Sequence, residues 1–123
     1  MENLPYHLFL DDERIPAQAT WVNYLAHPSF QNPEWRIART FQQFKDTILQ
    51  YGLPVGISFD HDIQDFHDGI EYTGSTCARW LSNYCLDNQL PLPAYILHSQ
   101  NGEGVKNMLS ILDGHLKIHP NPV

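Results

Sequence analysis

Three short apolar runs end abruptly in chemistry-bearing residues, and these junctions constrain the fold more than any other feature of the chain. Leu8-Phe9-Leu10 leads into Asp11-Asp12-Glu13. Ile57-Ser58-Phe59 leads into Asp60-His61-Asp62, with Asp65, His67 and Asp68 close behind, and Tyr95-Ile96-Leu97 leads into His98-Ser99. Each run has the length of a buried strand, and stretches of helical period lie between them. Strands alternating with amphipathic helices imply a parallel sheet, because parallel neighbours need long crossover connections of one hand. Ligands bind such sheets outside the carboxyl ends of the strands, where all three junctions fall.

Residues 6–10 form the first expected strand, and Arg14-Ile15-Pro16 turns the chain out of it. Pro16, Pro28 and Pro33 leave room for only a short helix around residues 21–25 in an otherwise irregular excursion. Residues 35–38 make a second strand. At Thr40 the period changes: Thr40 and Gln43 have capping-box spacing, Phe41, Phe44, Ile48 and Leu49 share a stripe, and Gly52 marks the stop. Residues 55–59 form a third strand, followed by a connection, 61–73, well beyond the usual span of about 2–6 residues and therefore functional or mobile. A helix from about Ser75 buries Cys77, Trp80, Leu81, Tyr84 and Cys85, and a fourth strand covers 94–97. A last helix carries Val105, Met108, Leu109 and Leu112 up to Gly114, and residues 116–119 have room for a fifth strand.

The expectation is a single domain over residues 1–123, an α/β open parallel sheet of flavodoxin-like strand order 2-1-3-4-5 with helices on both faces. Strands one and three are then neighbours, which sets Asp11 and Asp12 beside Asp60 and Asp62, with His98 and Ser99 one strand further along.

A formal charge of −7, from 7 Lys and Arg against 14 Asp and Glu, argues against non-specific binding to duplex nucleic acid. A nucleotide phosphate reached through a bound cation stays compatible, since the cation supplies the missing positive charge. No apolar run suits a signal peptide or a membrane span, so the expected protein is soluble and cytoplasmic, with no membrane partner. Cys77 and Cys85 stand about 12 Å apart along a helix axis, too far for a disulfide. They read as packing residues, as do Trp21, Trp35 and Trp80, while His7, His27 and His115 have no context that marks them.

Carboxylates crowded into water-poor surroundings must hold protons or share a cation. Oxygen ligands alone suit Mg²⁺ or Mn²⁺; an imidazole from His61 or His98 moves the preference toward Mn²⁺ or Zn²⁺. One acidic pair is ordinarily a solvated turn, but acidic groups at two strand ends point to a site. His98, followed by Ser99, Asn101 and Gly102, reads as a proton-transfer group beside a phosphate cradle. Asp65, His67 and Asp68 read as a solvated, mobile rim.

Asp11-Asp12 after the first strand, Asp60 after the third and Ser99 after the fourth resemble the receiver domain of response regulators. That resemblance implies Mg²⁺ on the acidic pair and Asp60, a phosphoryl group accepted by Asp60, and Ser99 in contact with it. The chain also departs from it. A receiver's fifth strand ends in Lys, usually before Pro, whereas here His119 precedes Pro120 and Lys117 comes earlier; the segment after the first strand is irregular; and His61, Asp62 and His98 are additions. The pieces Leu10-Asp11-Asp12-Glu13-Arg14-Ile15-Pro16, Phe59-Asp60-His61-Asp62-Ile63 and His98-Ser99-Gln100-Asn101 are instead similar to the cyclic-phosphate processing receiver domains.

This second resemblance implies metal-dependent processing of cyclic phosphates on nucleotides or RNA ends. The leading expectation is a phosphoesterase with Asp11, Asp12, Asp60 and Asp62 around Mg²⁺, Mn²⁺ or Zn²⁺. His98 and His61 join Asp60 as catalytic groups, and Ser99, Asn101 and Arg14 bind the substrate. The alternatives are a non-enzymatic module, phosphorylated on Asp60 or binding a nucleotide or protein partner, and a site that sequesters a metal or cyclic nucleotide without turnover.

Overall fold

Four parallel strands carry the framework, and the rest of the chain is arranged around their carboxyl ends. In chain order the elements are β1 (His7–Leu10), β2 (Trp35–Ala38), α1 (Phe41–Tyr51), β3 (Gly56–Phe59), the hairpin strands β4 (Asp65–His67) and β5 (Ile70–Tyr72), α2 (Gly74–Asp87), β6 (Ala94–Leu97) and α3 (Gly102–Ile118). The computed structural model describes residues 4–32 and 34–122, so Pro33, read above as a helix breaker, lies outside the described residues. The main sheet has the order β2-β1-β3-β6, all parallel, which is the expected receiver-like α/β arrangement.

Alternation along the strands splits the core in two. Leu8, Leu10, Ile57 and Phe59 join Phe44 and Ile48 of α1, Cys77, Ala78 and Leu81 of α2, and Met108 and Leu112 of α3 in one buried cluster. Each such aliphatic or aromatic side chain contributes about 1.5–3 kcal/mol when fully buried, so this face dominates folding. All three helices therefore pack on one side, with α2 between α1 and α3. On the other side, where a helix layer was expected, the excursion after β1 covers His7, Phe9 and Ser58. Its turns Pro16–Gln18, Tyr24–Ala26 and Pro28–Phe30 are single 3₁₀ turns, and Tyr24 and Phe30 pack on Trp35 with ring centroids 5.1 and 6.1 Å away. Prolines prevent a longer helix there, and aromatic packing closes that face instead.

Residues 116–118 continue α3 rather than forming a fifth strand, and Gly114 sits inside the helix. A mid-helix glycine costs only about 1 kcal/mol. Beyond it, buried His115 donates or accepts across to Ser82 Oγ of α2 at 2.7 Å, which ties down the last turn. The long connection after β3 is not irregular. Asp68 and Gly69, with φ of 51° and 77°, make the tight turn of the β4–β5 hairpin. Asp65 is 6% exposed and its Oδ2 accepts from the Phe41 N–H at 2.9 Å, so it caps α1 beside Thr40 rather than solvating a rim. Leu49 is exposed rather than on the inner stripe of α1, and Trp21, expected in the core, is 44% exposed. Among the described residues no helix is long and apolar enough to cross a membrane.

Candidate active site

Leu10, Phe59 and Leu97 are in register, so the residues that follow them, Asp11, Asp60 and His98, stand side by side on adjacent strands. The ladder continues one step past the strands: Asp11 N–H donates to Ala38 O at 3.1 Å, Asp60 N–H to Leu10 O at 2.9 Å, and His98 N–H to Phe59 O at 3.0 Å. Neighbouring strands lie about 4.8 Å apart. The ligand atoms of these three buried side chains all fall within 4.8 Å of one another.

The two carboxyl groups have opposite surroundings. Asp11 Oδ1 accepts the backbone N–H groups of Glu13 and Arg14, each at 2.9 Å, while Oδ2 faces the Arg14 guanidinium at 3.3 Å and His98 Nε2 at 3.0 Å. Burial pushes the Asp11 carboxyl up, but the two N–H groups and His98 outweigh it and hold it below the ordinary carboxylate value. Among the described residues Asp60 has only the His61 N–H, 2.8 Å from Oδ1. Burial first, and then the charge of Asp11, push Asp60 up to about 6. One carboxylate is thus stabilised as an anion while its neighbour is driven to hold a proton or a cation.

His98 lies behind this pair, fully buried and stacked on Phe9 at 4.4 Å. Its Nδ1 is 2.7 Å from Ser58 Oγ, which in turn is 2.6 Å from the Tyr24 hydroxyl. Burial lowers the basicity of the imidazole, against the pull of Asp11, and favours the neutral ring. With the proton on Nε2, every donor has one acceptor: Tyr24 O–H to Ser58, Ser58 O–H to His98 Nδ1, His98 Nε2–H to Asp11. Hydroxyl groups can reverse these roles, and a proton on Nδ1 leaves the Nε2 lone pair free as a ligand. Two buried carboxylates and one orientable imidazole fit a divalent cation, and this group could hold one.

A polar cleft of about 280 Å³ opens in front, lined by Asp12, Arg14, Asp60, Asp62, Ser99 and Asn101 among the expected site residues. A hollow of about 340 Å³ on the helix-free side has no charged lining and offers nothing to a phosphate. Burial raises the Asp12 carboxyl above its ordinary value. Asp62 is held low, chiefly by His61 Nδ1 at 2.8 Å and also by Asn101 Nδ2 at 3.1 Å. Asn101 is largely committed already, because its Oδ1 accepts the Gly104 N–H at 3.1 Å and caps α3. Ser99 Oγ accepts the Asn101 N–H at 3.1 Å, which leaves its O–H to donate into the cleft.

Neither imidazole lines the cleft. His98 is behind Asp11, and His61 lies across Asn101 and Asp62, over the first turn of α3, in an adjoining depression. Glycine makes the placement of His61 and the close approach of α2 to the Asp60 backbone feasible. A Cβ on Gly104 would stand 2.3 Å from His61 Cγ, and one on Gly74 would stand 2.0 Å from the Asp60 carbonyl oxygen. α2 therefore starts directly beneath the acidic loop, with the Gly74 N–H bonded to His61 O at 2.8 Å.

Sequence reasoning passed over Ser58, Tyr24 and Gln64. Ser58 carried a signal, being a polar residue between two apolar ones in a strand buried on both faces, where a hydroxyl needs a partner. Gln64 lines the cleft in a left-handed conformation, φ 53°, and nothing in its neighbours announces it. In comparison with known proteins, a family model described as Cyclic-phosphate processing Receiver domain matches residues 6–114. No curated protein and no solved structure matches the chain significantly.

Proposed function

The chain belongs to the cyclic-phosphate processing receiver domains, and from that membership and its site we propose that it is a metal-dependent phosphoesterase acting on a cyclic phosphate of a nucleotide or RNA end. The observation that supports this reading is the buried Asp11–Asp60–His98 group, whose Asp60 lines a polar cleft. Asp11, Asp60 and His98 would hold the cation, with Asp12 and Asp62 beside them to complete its shell through oxygen or water. Mg²⁺ or Mn²⁺ suits the carboxylates, and the imidazole makes Zn²⁺ compatible. When bound, the cation supplies the charge that polarises a phosphoryl oxygen and lowers the pKa of water.

The remaining work falls to the chain's own groups. Arg14 neutralises a phosphoryl oxygen, and the Ser99 O–H donates to another. Asp62, exposed to the cleft, orients the attacking water; His61, hydrogen-bonded behind it at 2.8 Å, takes up that water's proton through the carboxylate. The same pair returns it to the ribose oxygen that leaves. His98 has no exposed surface, so it acts on Asp11 and the cation site as a positioning residue rather than on substrate.

The test is incubation with 2′,3′-cyclic nucleotides and cyclic-phosphate-ended RNA with Mg²⁺, Mn²⁺ or Zn²⁺, followed by separation of the ring-opened monophosphate. Turnover that disappears in Asp11→Asn and Asp60→Asn is the expected result. Absence of turnover with every metal, in protein that calorimetry shows to bind the metal, removes this function. A phosphoacceptor module is the weaker reading because the fifth strand that carries the lysine in the receiver resemblance is absent among the described residues, where 116–118 continue α3. Lys117 is exposed near the far end of α3, about 22 Å along the axis from the helix start at the site.

A further inference from the structure

We propose that the substrate is a nucleoside phosphate whose base stacks on the Arg14–Trp21 pair, so that this pair makes the site select nucleotides over other phosphate esters. This inference rests on the reading of the cleft as a phosphate site. Trp21 is 44% exposed, yet it is not loose: its indole N–H donates to the His98 carbonyl at 2.8 Å, fixing the ring to the end of β6. The Arg14 guanidinium lies over that ring, 5.2 Å from its centre, and its Nη1 is also 3.3 Å from Asp11 Oδ2. One side chain, itself lining the cleft, thereby joins the exposed indole to the buried Asp11 carboxylate. The indole centre is within about 10 Å of the Asp11 carboxylate on standard covalent geometry, a span a nucleotide covers from phosphate to base.

With its only polar atom tied down and Arg14 over it, Trp21 presents a fixed, partly exposed ring to a guanidinium that reaches the cleft. Guanidinium and indole planes are the surfaces on which unpaired bases stack, and every base has a face to offer. The chain's negative charge does not interfere, because stacking needs no anion-binding surface beyond the one Arg14 provides. A sugar phosphate without a base would use the cleft and leave Trp21 bare.

Binding separates this proposal from the proposed reaction, since it needs no turnover. Nucleoside 3′-monophosphates and ribose 5-phosphate are titrated by calorimetry against the full chain with Mg²⁺, alongside intrinsic fluorescence. Wild-type protein binds the nucleotide at least about tenfold more tightly than the sugar phosphate, in line with the usual worth of one stacked base. Trp21→Ala removes that ratio while keeping ribose 5-phosphate affinity within about twofold, and Trp21→Phe, which keeps a ring but not the indole N–H, retains most of it. Equal affinity for the two ligands in the wild type, no measurable nucleotide binding, or an undiminished ratio in a folded Trp21→Ala protein overturns the proposal. Base preference without turnover would sink the phosphoesterase and leave this inference standing; turnover without base preference would do the reverse.

Discussion

Replacing Asp60 by asparagine should make the metal-free protein more stable while destroying its site. Asp60 is 6% exposed, and burial together with Asp11 lifts its carboxyl from 3.8 to about 6. Below about pH 4 the group is neutral whether the chain is folded or not, and it costs nothing. Between about pH 4 and 6 the unfolded chain releases this proton and the folded chain keeps it, so stability falls as pH rises, and above that range the full penalty applies. A shift of that size corresponds to about 3 kcal/mol. Asparagine removes the charge and keeps an oxygen for the His61 N–H. In EDTA at about pH 7.5, urea unfolding of Asp60→Asn should therefore show a gain of about 2–3 kcal/mol, near 10 °C in melting temperature for a domain of this size. Close to pH 3 the gain should nearly vanish. A cation should erase the difference at a hundredfold excess over Kd, where it stabilises the wild type by about 2.7 kcal/mol and the variant hardly at all, and reverse the order at a thousandfold excess, where the gain is about 4.1 kcal/mol. A variant no more stable than wild type at neutral pH, or a gain of the same size at both pH values, would refute the account of Asp60 as a charge held against its preference.

Two glycines of α3 give a paired test. Gly114→Ala meets nothing within 4 Å and should stabilise by about 0.5–1 kcal/mol, whereas Gly104→Ala drives a methyl into His61 and should lose that gain and at least about tenfold in turnover, as urea unfolding and activity assays will read. Ser58→Ala strands His98 Nδ1 in the interior and should cost about 1–3 kcal/mol in denaturant unfolding, with Tyr24→Phe costing less. Asp65→Ala removes the cap on the Phe41 N–H and should cost about 1–2 kcal/mol, with faster amide exchange at the start of α1.

The strand ends were legible because each apolar run stops at an abrupt change of chemistry, and parallel pairing then brings Asp11, Asp60 and His98 together without further information. The direction each side chain takes was not legible. His98 looked like a proton donor to substrate from its neighbours in sequence, and only the register with β1 and β3 places it behind Asp11 with both nitrogens engaged. Asp68-Gly69 is a strong turn signal between short strand-like segments, and reading 61–73 as a loop gave too much weight to its length. Gly114 failed as a stop because packing against α2 outweighs a small local propensity. Trp21 failed as a core residue because hydrophobicity alone cannot distinguish a buried ring from a fixed, exposed one, and that difference now carries the inference about the base.

The central claim is that Asp11, Asp60 and His98 hold a cation that meets the phosphate in the adjoining cleft. A crystal soaked with Mn²⁺ and a nucleoside 3′-monophosphate tests it directly through the anomalous signal of the metal. The account predicts one Mn²⁺ bonded to all three side chains, with a phosphate oxygen on the metal and another facing Arg14. Mn²⁺ bound elsewhere, or a phosphate seated away from those three residues in a crystal that contains both ligands, would contradict it.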